Sequence, residues 1–140
     1  MTIQQGMAAE SLINILLSSS YLKHGREYPN LDCYGLVRLV WRDVLGKAEL
    51  PSYSHVDPAD KGLLTESAMA VKQGLGFTQA DVRHGVIALA WRGRKCVHVG
   101  VVLSIDDRMW VLETDESTGP VLTDVKVFES RYSLVQYYDN

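Results

Sequence analysis

Apolar residues recur at helical spacing in the first third of the chain and give way to β-branched and aromatic runs in its second half. Leu12, Ile13, Leu16 and Leu17 fall on one face of a helix predicted over 8–17, which the Ser18-Ser19-Ser20 run stops. Leu36, Val37, Val40, Trp41 and Val44 mark a second apolar stripe, with Asp32 as its N-cap and Gly46 as its terminator. Arg38, Arg42, Asp43 and Lys47 are expected on the wet side of that helix. Residues 21–31 contain Gly25, Pro29 and Asn30 and read as loop. Residues 47–62 carry Pro51, Ser52, Asp57 and Pro58 and are expected to form a long surface loop. A third helix is expected over 63–73, closed by Gly74.

After Phe77 the texture changes. Residues 86–91, 97–103, 109–114, 121–127 and 134–138 are separated by turn-prone clusters and read as five strands. Helices first and strands later predict an α+β fold, N-terminal helices packed on an antiparallel sheet of about five strands. The 140 residues make one domain, 1–140, large enough for a core without staples.

A net charge of −3, with no basic run interleaved with aromatics, argues against a nucleic-acid partner. Cys33 and Cys96 allow at most one bridge and do not resemble a secreted disulfide framework. The start, Met1-Thr2-Ile3-Gln4-Gln5, has no basic n-region, and Glu10 and Asn14 interrupt the apolar stretch that follows. The expectation is therefore a protein made in the cytosol without a signal peptide and with no membrane partner.

Cys33 carries the candidate chemistry. It is expected as about the first residue of the second helix, where unpaired N–H groups and the positive end of the dipole favour a thiolate. In Cys96-Val97-His98-Val99-Gly100-Val101 the valines alternate onto one face, so His98 is expected on the other, together with Cys96 and Gly100. His24, His55 and His84 lie in or beside predicted loops and make weaker bases. A Cys at a helix start with a His on a strand is the pairing that thiol nucleophiles use. A third group should orient the imidazole. If Asp106-Asp107 is the tip of a hairpin, His98 faces Asp115 and lies diagonal to Glu113, all on one face. A one-residue slip would remove both acids from that face, and the choice between them stays open. A metal site from Cys33, Cys96, His98 and Asp115 follows no closed zinc spacing, so neither a metal nor another cofactor is expected.

Asp32-Cys33-Tyr34-Gly35-Leu36-Val37, followed by His98-Val99-Gly100-Val101-Val102-Leu103, resembles the paired signatures of the NlpC/p60-type peptidoglycan cysteine peptidases, a papain-like superfamily. The resemblance runs from Tyr21 onward. It implies a papain-like fold, Cys33 as nucleophile, His98 as base and Tyr21 as a contributor to the oxyanion site. Glu113 falls at the family's third position, where a histidine is commoner. Tyr34 replaces a small serine, and with Gly-Leu-Val-Arg behind it looks more like the branch found in phage tail assembly proteins. The implied activity is acyl-enzyme hydrolysis of the peptidoglycan stem peptide by a phage or prophage tail component, with other tail proteins as partners and no cofactor. The alternatives are an inactive tail structural protein on the same fold and a thiol acyltransferase.

Overall fold

The computed structural model describes residues 9–47, 50, 69 and 76–139. Apart from Lys47, Leu50 and Met69, the expected loop over 47–62 and the expected helix over 63–73 lie outside these residues.

Helix α1 (Ala9–Leu17) points Leu12, Ile13 and Leu16 into the core. It ends where the hydroxyls of Ser18 and Ser19 donate to the carbonyls of Ile15 and Leu16, satisfying acceptors that the last turn leaves open. Residues 21–31 are more ordered than a loop. Strands β1 (Ser20–Tyr21), β2 (Arg26–Glu27) and β3 (Asn30–Leu31) form a small sheet in the order β1-β3-β2, with β1 parallel and β2 antiparallel to β3. Two-residue strands are too short to leave an alternating signature in a sequence.

Helix α2 (Cys33–Leu39) begins as expected at Cys33, with the Asp32 carboxylate accepting from the Gly35 N–H. It continues as one π-helical turn over Val40–Val44, in which the Leu45 N–H reaches back to the Val40 carbonyl. Gly46, at φ +66°, ends it in the left-handed region that favours glycine. Arg38 is not on the wet side: it is buried, its Nε donates to the Leu50 carbonyl at 2.8 Å, and Nη1 lies 3.5 Å from Glu27 Oε1. Those two partners accept a guanidinium that amphipathic spacing alone assigns to solvent.

The main sheet has six strands, one more than the pattern predicts: β4 (Thr78–Ala80), β5 (Ile87–Arg92), β6 (Lys95–Ile105), β7 (Arg108–Asp115), β8 (Gly119–Asp124) and β9 (Leu134–Asp139). Their order is β4-β9-β5-β6-β7-β8, with every pair antiparallel. The predicted strand over 121–127 is cut at Asp124, whose side chain accepts from the Lys126 N–H and caps helix α3 (Val125–Ser130). None of the described helices is long and apolar enough to cross a membrane.

The sheet is buried on both faces. Ile87, Leu89, Val99, Val101, Leu103 and Leu112 pack with α1 and α2. Val86, Ala88, Ala90, Val102 and Val111 pack with Val125 and Phe128 of α3. The hairpin β6–β7 has the register expected from Asp106-Asp107 at its tip, from Ile105↔Arg108 to Val101↔Leu112. Both aspartates have positive φ, as a two-residue hairpin turn requires.

Gly35 allows α2 to seat on the small sheet, because a Cβ there would lie 2.0 Å from the Gly25 carbonyl oxygen. Gly35→Ala is therefore expected to lose about 1–3 kcal/mol in urea unfolding from the forced shift. This outweighs the helix propensity of about 1 kcal/mol that alanine gains over glycine. A variant as stable as the wild type would show that the helix slides freely on that surface.

Candidate active site

Cys33 owes its position to Asp32. That carboxylate is fully buried; Oδ1 accepts from Arg26 Nη1 at 2.6 Å and from the Gly35 N–H at 2.8 Å, and Oδ2 accepts from the His24 N–H at 3.1 Å. The helix start is thus fixed from three directions. As the first helical residue, Cys33 presents an N–H with no carbonyl partner inside the helix. The residue is only 3 % exposed, and its remaining surface lies on a cavity.

His98 stands on β6 against it. Two groups favour the charged form of the ring, Cys33 and Glu113. Nε2 lies 2.9 Å from Glu113 Oε1. Burial disfavours the charged ring, but the hydrogen bonds to Cys33 and Glu113 and their charges outweigh it, and the His98 pKa is raised to about 9. Glu113 is the complementary half. Burial raises its pKa, but hydrogen bonds from His98 and Thr123 and the charges of His98 and Arg131 hold it below the usual carboxylate range.

The hairpin places Glu113 diagonal to His98, and the residue across from Glu113, Gly100, has room for no side chain. A Cβ on Gly100 would meet Val111 Cγ1 at 2.5 Å and Glu113 Cβ at 3.6 Å. Asp115 stands at the cavity rim at the end of β7, where its Oδ1 accepts from the N–H and hydroxyl of Ser117. The carboxylate on Nε2 is therefore that of Glu113.

Tyr21, on β1, lines the same cavity of about 440 Å³. Burial, with Cys33 and Asp32 nearby, pushes its phenol above the usual value, so it stays a neutral donor. The cavity wall also carries charges of both signs, Lys23 and Arg92 with Asp115 and Glu116. Cys33, His98, Glu113 and Tyr21 are thus brought together, with Asp115 at the edge. This constellation holds a thiol at a helix start, a buried imidazole with an ionised orienting carboxylate, and a tyrosine hydroxyl on the same cavity, the parts that acyl transfer needs.

One expected neighbour lies elsewhere. Ala90 faces His98 and Trp91 faces Cys96, so Val97 is an inserted bulge residue and the alternation resets there. Cys96 consequently packs in the core with Val99, Val101 and Leu103 rather than sharing a face with His98. Arg131 and Tyr132 escaped the sequence reading. Arg131 Nη1 is 3.4 Å from Glu113 Oε2, and the Tyr132 ring lies 6.4 Å from the His98 ring at an interplanar angle of 24°. The available signal was Asp124 as an N-cap followed by Val125 and Phe128 at helical spacing, which places 131 and 132 just past a helix end.

The pair has a pH signature. His98 is charged in folded and unfolded chains alike below its ordinary value of 6.5, so its contribution to stability is complete there and is lost as pH rises through about 9. Glu113 works in the opposite sense, contributing above its ordinary value of 4.5 and losing that contribution as pH falls through its depressed folded value. The difference in melting temperature between wild type and Glu113→Gln should be widest from about pH 5 to 6.5 and shrink toward about pH 10. A difference constant across that range would show that the two groups do not titrate as a pair.

Compared by sequence, the chain matches no protein-family model and shows no detectable similarity to any curated protein.

Proposed function

We propose that this chain is a papain-like cysteine endopeptidase of the peptidoglycan stem peptide, made in the cytosol and carried as a phage or prophage tail component. The observation that carries the reading is the relay from Cys33 through His98 to Glu113, opening on a cavity beside Tyr21. In this mechanism the Cys33 sulfur attacks the peptide carbonyl while its proton resides on His98. The Cys33 N–H and the Tyr21 hydroxyl hold the developing oxyanion. His98 then gives its proton to the leaving amine, the C–N bond breaks, and an acyl-enzyme remains. Water, deprotonated by His98, releases the acyl group and restores the thiol.

Murein is favoured over other peptides by the resemblance of the Asp32 to Val37 and His98 to Leu103 segments to the NlpC/p60-type enzymes. A cavity wall with both cationic and anionic side chains also suits a stem peptide, which carries free carboxylates and the amine of a diamino acid. The tail assignment rests on Tyr34-Gly35-Leu36-Val37-Arg38. Tyr34 lies under the Arg26 guanidinium, 5.2 Å from its Cζ, and so belongs to the support of the helix start.

Incubation with purified muropeptides of the common stem chemistries, read by mass spectrometry, tests the proposal. Wild type should release new peptide fragments, and Cys33→Ala should lower the rate by roughly 10³-fold or more. The absence of any new product with the wild type would favour a structural tail protein. Accumulation of an acyl-enzyme that only an added amine discharges would favour an acyltransferase.

A further inference from the structure

Two successive residues of the turn between α3 and β9 touch different parts of the site, and the third anchors the turn. Arg131 Nη1 lies 3.4 Å from Glu113 Oε2, the oxygen that does not face His98. Tyr132 stacks on the His98 ring, while Phe128 lies 6.1 Å from that ring at an interplanar angle of 38°. Arg92 sits over Tyr132, its Cζ 5.1 Å from the ring centroid. Ser133 ties the turn to the strand that carries Arg92: its N–H and hydroxyl donate to the Trp91 carbonyl, and its Oγ accepts from the Gly93 N–H.

A hydrogen bond at Nε2 ties one corner of the His98 imidazole to Glu113 but leaves the ring free to rock about it. A stacked ring resists that motion, and a cation bound to its outer face keeps the ring in place. A carboxylate with one oxygen on Nε2 can likewise pivot unless its second oxygen is held. We propose that this turn is a brace for the candidate active site, with Tyr132 and Arg131 as positioning residues: Tyr132 sets the plane of His98, and Arg131 holds Glu113 Oε2 so that Oε1 stays on Nε2. The proposal rests on Cys33 and His98 acting as nucleophile and base.

Alkylation of Cys33 by iodoacetamide, measured from about pH 5 to 10 after subtracting the rate of Cys33→Ala, reads the dyad without any peptide substrate. His98→Ala should slow the reaction near neutral pH. Tyr132→Phe, which keeps the ring, should react as the wild type does, whereas Tyr132→Leu should lose roughly tenfold near neutral pH. Arg131 is 48 % exposed along its side chain, so its variants are expected to fold. Arg131→Gln should slow alkylation several-fold, and Arg131→Lys should restore part of the loss. Tyr132→Leu and Arg131→Gln variants that match the wild type at every pH would overturn the brace alone. Tyr132→Phe falling as far as Tyr132→Leu would also overturn it, because the hydroxyl rather than the ring face would then matter. Indifference of the wild-type rate to His98→Ala would overturn the dyad itself, and the brace with it.

Discussion

Arg26 and Asp32 bury opposite charges 2.6 Å apart where the chain turns from β3 into α2. Taken alone, such a pair contributes little net stability, because desolvation of two ions offsets most of their attraction. Removing one partner is another matter: the stranded charge costs about 3–5 kcal/mol. The pair persists because Asp32 serves as cap, ion-pair partner and loop anchor at once. Its three donors come from the second, third and first parts of one short segment: Arg26 from β2, Gly35 from α2, and His24 from the turn after β1. Tyr21 and Cys33 are therefore indexed to a single carboxylate, although twelve positions separate them in sequence.

The sheet supplies the other half of the site with a different kind of rigidity. β6 is held by ladders on both sides, from β5 and β7, and has helices over both faces. The Val97 bulge resets the alternation beside His98, putting Cys96 and Val99 on the α2 side while His98 lies against Phe128 and Tyr132. Gly100, two residues on, makes room for Val111, whose Cγ1 a Cβ there would meet. Both departures from a regular strand fall within three residues of His98. Bulges and interior glycines weaken a ladder, and they are tolerated where a side chain must be re-aimed.

The sequence made the parts visible whose physics is local. Asp32 as N-cap, Cys33 as first helical residue, Gly46 as terminator and the Asp106-Asp107 turn each depend on neighbours within a few positions, and each is found. The turn then fixed the register that brings Glu113 within reach of His98. What sequence could not show was long-range. Arg38 looks like a surface residue until the Leu50 carbonyl and Glu27 are placed beside it. Glu113 and Asp115 share a strand face, and the Asx-type turn at Ser117 is what draws the Asp115 carboxylate to another partner. The short helix after Asp124 was hidden because Val125 and Val127 also suit a strand, and with it went Tyr132.

An acidic third residue has a consequence for the proposed chemistry. A neutral partner would orient His98 without changing its charge preference, whereas an ionised Glu113 in a buried setting favours the imidazolium. A ring that keeps its proton up to about pH 9 takes the thiol proton readily and gives it up less readily to a leaving amine. In the proposed mechanism the proton then already rests on His98 when the sulfur attacks, and the demanding step is its transfer from that ring to the leaving amine. Arg131 meets the same carboxylate on its other oxygen, 3.4 Å from Glu113 Oε2. A site built this way gains base strength toward the thiol and gives up acid strength toward the leaving amine, and the ion pair of His98 with Glu113 is where that balance is set.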